Sequence, residues 1–301
     1  MSTLVRENIA SMQGYSWGEQ PKTRTNLIKL NTNETPYPPS PNVIRALQTL
    51  DTEALRTYPD PLADELRKEV AKLNRIADEN VVITNGGDEG LRLSLTTFVD
   101  PGETVCFADP SYSLYPVLAA IQGANIKPVA YSDGWEIPET FPEKIKSFNA
   151  KMSYLVNPHA PSGNFYSLGA LDKIAQSAPG VLLIDEAYAD FIDPSLNYQS
   201  ADLLKKNDNV LILRTFSKGY SLAGIRLGYL MGNEALISPI ISKTRDSYNV
   251  GLIQQRLGTA AIMDQEYSQK IWKKIRENRI HLQDRLTALG LTSNPSQSNF
   301  I

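Results

Sequence analysis

Short apolar runs recur along this chain, each about one strand long and each followed by a polar turn. Val81–Thr84, Thr104–Phe107, Ile126–Ala130, Met152–Val156, Val181–Ile184, Val210–Leu213 and Leu227–Met231 all have this form. Apolar, often β-branched runs of about four to eight residues bounded by turn signals read as buried strands. Helical spacing fills many of the intervals. Pro41–Leu50 is one such interval, and Gly90–Phe98 and Leu168–Ser177 are others. A further helix is expected from Asp60-Pro61, with Leu62, Leu66, Val70 and Leu73 on one face. Strands alternating with helices imply an α/β fold: a mostly parallel central sheet covered on both faces.

The two ends of the chain depart from this pattern. Residues 1 to about 26 are polar and read as a short helix and then a loop, followed by a short strand at Leu27–Leu30. Pro36, Pro38, Pro39 and Pro41 then favour a stiff, extended segment that suits a crossing between two domains. The last long helix is expected at about Ser268–Leu289, and Gln297–Ile301 reads as a strand just starting. Three parts are expected: an N-terminal arm and part of a small domain over 1–40, a large domain over 41–250, and the start of a smaller α+β domain over 251–301. The last is expected to be incomplete at its C-terminus, because nothing follows Ile301 for a strand to pair with.

Charge and cysteine usage narrow the function classes. The chain has 301 residues, with 30 Lys+Arg against 33 Asp+Glu and a net charge of −3. Basic residues are dispersed, so neither nucleic acid nor an anionic membrane is an expected partner. Cys106 is the single cysteine and lies within an apolar run, which suits a small buried hydrophobe in a reducing cytoplasm. His159 and His281 are far apart in sequence, so no zinc site is expected. No signal-peptide core or membrane-length apolar run is present, and a cytoplasmic protein is expected.

The chemistry gathers at strand ends, where open α/β sheets place their ligands. Val210–Leu213 runs into Thr215, Ser217 and Lys218, with Arg226 eight positions further on. Taken alone, Lys218 reads as a surface lysine. The apolar strand before it and the glycines around it argue for a partly buried one. Val181–Ile184 ends in Asp185-Glu186-Ala187-Tyr188. An acid there is costly unless paired, and a pyridinium nitrogen is a partner that would keep it ionised. A lysine that bonds to an aldehyde, with an aspartate at the ring nitrogen, is the equipment of pyridoxal-phosphate enzymes. Gly86-Gly87-Asp88 joins a strand to a helix; it suits either a phosphate or a plain turn with Asp88 as its cap. Tyr112 can stack on a flat ring or simply pack. Asn157, in Asn157-Pro158-His159-Ala160-Pro161-Ser162-Gly163, can donate to a phenolate-like oxygen or serve a turn.

In this order, these motifs resemble the fold-type-I pyridoxal-phosphate aminotransferases. N-P-H-A-P-S-G, D-E-A-Y and R-T-F-S-K-G-Y-S-L-A-G-I-R-L-G-Y carry the likeness. More narrowly, K-L-N-T-N-E-T-P-Y-P-P-S-P, T-Y-P-D-P, G-G-D-E-G and the final S-N-F are similar to the histidinol-phosphate aminotransferase family. The resemblance covers essentially the whole chain and implies pyridoxal 5'-phosphate on Lys218. It also implies Asp185 at the ring nitrogen, Tyr188 and Asn157 at the ring hydroxyl, and Tyr112 stacked on the ring. Gly87, Asp88, Thr215, Ser217 and Arg226 would hold the phosphate. Tyr58 would reach the cofactor of a partner subunit, so a homodimer is implied, and Tyr15 and Asn33 would lie near the substrate.

The implied reaction passes an amino group from glutamate to imidazole-acetol phosphate, giving histidinol phosphate and 2-oxoglutarate, in histidine biosynthesis. His159-Ala160 stand where Asn-Asn is common in the family. The family's arginine for the substrate carboxylate has no counterpart in this chain. A threonine-phosphate decarboxylase shares the proline-rich and T-Y-P-D-P segments and stays open, as does an aromatic- or aspartate-type aminotransferase. A non-catalytic cofactor-binding module would need an attached DNA-binding region, and residues 1–40 show no such pattern.

Overall fold

The apolar runs become the strands β1 (Val81–Thr84), β2 (Thr104–Asp109), β3 (Asn125–Ala130), β4 (Met152–Val156), β5 (Val181–Asp185), β6 (Val210–Thr215) and β7 (Gly228–Gly232). The structure is a computed structural model and describes residues 4–22 and 27–301. The strands form one sheet in the order β1-β7-β6-β5-β4-β2-β3. Strands β2 to β6 pair in parallel, and β7 runs antiparallel to both β1 and β6. The expectation of a mostly parallel sheet therefore holds, with β7 as the reversed strand.

Helices follow in the intervals: α1 (Glu7–Ser11), α2 (Pro41–Gln48), α3 (Asp64–Asn74), α4 (Gly86–Phe98), α5 (Leu114–Gln122), α6 (Phe141–Ser147) and α7 (Leu168–Ser177). After the sheet come α8 (Glu234–Pro239), α9 (Leu252–Met263) and α10 (Gln265–Ala288). Both faces of the sheet are covered, and the period-2 alternation of strand side chains sorts the core into two layers. Leu182 and Ile184 of β5, with Val210 and Ile212 of β6, join one cluster. Val181 and Leu183, with Leu211 and Leu213, join the other, beneath Leu91 and Leu95 of α4 and Tyr115 of α5.

Several local readings change. Helix α3 begins at Asp64, not near Pro61, because both carboxylate oxygens of Asp60 accept backbone N–H groups, from Leu62 and Asp64. Helix α4 begins at Gly86, four residues before the expected Gly90, since Gly86 makes the turn by itself at φ +80°. Leu27–Leu30 forms no strand; Ile28 and Leu30 are exposed, and the segment joins no sheet among the described residues. Gln297–Ile301 forms no strand either. It is tied by Gln297 N–H to the Gly163 carbonyl (2.8 Å) and by Arg279 to the Ser298 carbonyl. Of the short helix and loop expected over 1 to 26, α1 lies within the described residues, and 1–3 and 23–26 lie outside them.

Close backbone approach seats α4 on the sheet. A Cβ on Gly228 of β7 would come within 2.9 Å of the Arg214 carbonyl oxygen and of the Gly86 carbonyl carbon, and within 3.0 Å of the Gly87 nitrogen. All three are main-chain atoms, so none can swing aside. Gly228→Ala is expected to lower stability by ~1–3 kcal/mol, the range for forced overpacking, read as a fall in the urea midpoint. A midpoint equal to that of the parent chain would refute the close packing of β7 on the start of α4.

Candidate active site

The same alternation decides which side chains meet at the strand ends. Val156, Asp185, Leu213 and Thr215 share one face, and all four line a cavity of about 660 Å³. Their neighbours Asn157, Glu186 and Arg214 are directed to the opposite face. There Glu186 is fully enclosed and accepts from Arg214 Nε (2.7 Å), the Tyr198 hydroxyl (2.6 Å) and the Ser200 hydroxyl (2.8 Å).

Asp185 is buried, and each of its oxygens has one donor. The Tyr115 hydroxyl donates to Oδ2 at 2.8 Å, and the Ala187 N–H donates to Oδ1 at 3.0 Å. No cation pairs with it among the described residues. Burial raises its pKa to about 6, Tyr115 and Ala187 work against that rise, and the charges of Asp88 and Glu186 add to it. This carboxylate therefore has the electrostatic surroundings of a group awaiting a positive partner.

Lys218 follows β6 into the same cavity. Its Nζ donates to the carbonyls of Thr32 (2.9 Å) and Asn33 (3.3 Å) and lies 5.7 Å from the Tyr188 ring centre. Burial holds its pKa below the ordinary lysine value; Arg226 adds to that effect, while Glu34 opposes it. Three separate elements fix its main chain. Thr35 donates its hydroxyl to the Lys218 carbonyl, the Trp272 indole N–H of α10 donates to the Gly219 carbonyl (2.7 Å), and the Asp190 carboxylate lies against Gly219.

At the other end of the cavity the start of α4 faces two hydroxyls and a guanidinium. Thr215 Oγ1 lies 3.0 Å from Ser217 Oγ; Arg226 donates to Ser217 Oγ (3.4 Å) and to Asp88 Oδ2 (3.0 Å). A Cβ on Gly86 would come within 2.8 Å of the Arg226 guanidinium, so Gly86 keeps this cup open. Gly87 and Asp88 line it, and the first turn of a helix carries unpaired N–H groups suited to an anion. Asp88 lies within α4 and caps nothing: the N-cap position is Asn85.

Tyr112 lines the cavity, donates its hydroxyl to Asp88 Oδ1 (3.2 Å) and meets Tyr15 edge-to-face at 6.0 Å. It lies two residues before α5, not at its start. Tyr15, Asn33 and Tyr188 line the same cavity.

Two expected residues stand apart from it. Asn157 is fully buried on the opposite face; its amide donates to the Tyr166 carbonyl (3.1 Å) and the Tyr198 hydroxyl (2.9 Å), and its oxygen accepts from the Tyr166 N–H (2.8 Å). Both amide hydrogens are engaged, so the expected donation to a ring hydroxyl has no free hydrogen here. The register explains the placement, since Val156 takes the cavity side. Tyr58 is 81% exposed, stacked on Tyr248 at 4.5 Å, and outside the cavity of its own chain.

The structure also adds residues that sequence reasoning missed. Tyr115 contacts Asp185, Thr32 holds Lys218, and Phe300 packs edge-on against Tyr188 at 4.9 Å. The Asn33 and Asn299 amides bond reciprocally, at 2.8 and 3.0 Å. The three-residue spacing from Tyr112 to Tyr115 was the available signal for Tyr115, and it reads equally as core packing.

A strand-end lysine and a buried aspartate beside an anion cup define a pyridoxal-phosphate type of site. The chain belongs to the class I and II aminotransferases, whose family model matches residues 25–301. Within that family it is similar to the histidinol-phosphate aminotransferase of Geotalea daltonii, at 41% identity over 297 residues, covering 99% of this chain and 83% of the relative. The histidinol-phosphate aminotransferase of Rippkaea orientalis is 40% identical over 299 residues, with 99% and 82% covered. Among solved structures, the histidinol-phosphate aminotransferase of Sinorhizobium meliloti in complex with pyridoxal-5'-phosphate aligns with a TM-score of 0.82 at 27% identity, covering 88% of this chain and 72% of that one. Thermus thermophilus aspartate aminotransferase with maleate shares the fold, with a TM-score of 0.77 at 23% identity, covering 90% and 75%.

The uncompensated Asp185 sets a pH signature for the ligand-free chain. From its ordinary value of 3.8 to about 6, the folded chain binds more protons at this group than the unfolded chain. Stability therefore falls as pH rises through that window, by ~3 kcal/mol for a shift of this size. Asp190 shifts in the same direction and leaves some slope of its own. Asp185→Asn is expected to flatten the profile of urea midpoint against pH between about 4 and 6 and to stabilise the ligand-free chain at pH 7 by ~1–3 kcal/mol. An unchanged profile would show that Asp185 is not held protonated by burial.

Proposed function

We propose that this cavity binds pyridoxal 5'-phosphate and that the chain transfers an amino group between glutamate and imidazole-acetol phosphate, forming histidinol phosphate and 2-oxoglutarate. The observation that carries the reading is the presence of Asp185 and Lys218 in one cavity at the ends of adjacent strands: a buried acid with no cation among the described residues, and a partly desolvated amine. The groups present fit the cofactor on their own chemistry. A protonated ring nitrogen would complete the charge of Asp185. A phosphate would take the start of α4, the Thr215 and Ser217 hydroxyls and Arg226, whose planar fork suits two phosphate oxygens.

When bound, the cofactor supplies an aldehyde and a ring that accepts the electron pair of a broken bond at the substrate carbon. Asp185 holds the proton at the ring nitrogen. Lys218 Nζ, with its pKa lowered by burial, is the amine that would hold the cofactor through its aldehyde, and as a free amine it would move a proton at the substrate carbon. Tyr112 would stack on the ring and Tyr188 would serve its hydroxyl, a role for which Asn157 has no free amide hydrogen. Tyr15 and Asn33 border the space left for substrate.

The wider assignments belong to the same reading. Tyr58, exposed and outside its own cavity, faces the cofactor phosphate of a second copy in a homodimer. A smaller unit built from the N-terminal arm and the end of the chain is supported by the packing of Tyr37 against Ile271 and Ile275 of α10, while Leu257, Ala261 and Ile262 of α9 belong to the core of the large domain. A cytoplasmic setting fits the single buried Cys106. No described helix is long and apolar enough to cross a membrane.

The test is to load the chain with pyridoxal 5'-phosphate, record the visible band of the lysine-bound cofactor, and add histidinol phosphate. Loss of that band with formation of imidazole-acetol phosphate is the expected result. In a parallel sample given O-phospho-threonine, which carries the carboxylate that histidinol phosphate lacks, release of carbon dioxide would mark a decarboxylase instead. Lys218→Ala is expected to show no such band and to lose at least about 10³-fold in turnover, within the range for proton transfer by a positioned base. A visible band in the Lys218→Ala chain would sink the assignment of the lysine.

A further inference from the structure

Tyr115 is enclosed to 1% exposure, between Phe107, Tyr112 and Tyr154. Its ring is stacked on Tyr154 (4.7 Å between centres, 10° between planes) and meets Tyr112 edge-on (5.7 Å, 89°). These contacts need only the ring, and a phenylalanine would make them without burying a hydroxyl. Among the described residues the hydroxyl has one partner, Asp185 Oδ2 at 2.8 Å. Tyr115 therefore carries a polar atom whose cost of burial is met at Asp185 and nowhere else.

The groups around Asp185 show what this contact does. Asp88 from α4 and Glu186 from the same strand end both bring negative charge; Tyr188 faces it as a neutral phenol. Against burial and these two acids stand one main-chain donor, Ala187, and one side-chain donor, Tyr115. The Tyr115 phenol is itself held well above its ordinary pKa by burial and by the charge of Asp185, so it stays a donor across the working pH range. Its clamped ring fixes the position of the hydroxyl oxygen beside Asp185.

We propose that Tyr115 is a positioning residue that holds the Asp185 carboxylate ionised and oriented for the ring nitrogen of the cofactor. The inference rests on the reading of this cavity as a pyridoxal-phosphate site. It goes beyond that reading in assigning a role to a residue that touches neither cofactor nor substrate.

The variant is Tyr115→Phe, which keeps the ring and removes the donor. In the ligand-free chain, the carboxyl-carbon NMR titration of Asp185, assigned by its loss in Asp185→Asn, is expected to shift upward by about one to two pH units. That is the size of a hydrogen bond to a charged group. Affinity for pyridoxal 5'-phosphate is expected to fall about 10-fold or more. Affinity for the carbocyclic analogue with C–H in place of the ring nitrogen is expected to stay the same. A purely structural role would weaken both ligands equally and leave the Asp185 titration in place, and that result would overturn the proposal. A parent chain that binds the two ligands equally would instead refute the ring-nitrogen contact, and the inference would fall with it. Should Tyr115→Phe not fold, 3-fluorotyrosine placed at 115 makes a stronger donor. It is expected to move the Asp185 titration downward, and an upward or absent movement would overturn the proposal.

Discussion

Burial of the sheet on both faces is the constraint from which the site follows. Strands β4, β5 and β6 are buried on both sides and mostly apolar, with Ser153 as the small polar residue inside β4, so a charged group placed within them would lose water on every side. Chemistry is confined to the residues at their carboxyl ends, where the chain turns out of the sheet. The seven-stranded order brings the ends of β4, β5 and β6 next to one another. Residues that are far apart in sequence, from Val156 to Arg226, therefore border one cavity.

Asp185 and Glu186 show how much a one-residue step changes at such an edge. They are neighbours in the chain and face opposite layers. Glu186 is closed in by Arg214, Tyr198 and Ser200, a satisfied internal ion pair of the kind that is destabilising to break. Asp185 has two neutral donors and, among the described residues, no cation, and its acidity is correspondingly weak. The first acid is completed by its own protein. The second is left for something that enters the cavity.

Much of this was legible from the sequence because strand, turn and helix each leave a local pattern. The apolar runs marked the strands to within a few residues, and Lys218, Asp185, Thr215, Ser217 and Arg226 stood out as polar groups placed where apolar runs stop. What was not legible depended on register or on distant pairing. Asn157 and Val156 look equally placed at a strand end, and only the pairing of Val156 with Asp185 shows which one faces the cavity. Tyr115 reads as a core aromatic because its ring is one; its hydroxyl acquires meaning only from a strand seventy positions away. Leu27–Leu30 had a strand's composition, but pairing needs an adjacent edge, and no local signal reports whether one exists.

The main chain around Lys218 is held from both sides of the sequence, by Thr35 well before it and by Trp272 on α10 well after it. During synthesis on a ribosome the sheet strands around the lysine emerge first, yet the carbonyl of Gly219 has no indole to hold it until α10 is made and docked. The turn that carries the lysine is thus completed by one of the later steps of assembly, whereas the carbonyls of Thr32 and Asn33 that meet its amine are made before it. A nascent chain that has completed its sheet therefore has the partners of the amine in hand before the main chain beside it is locked.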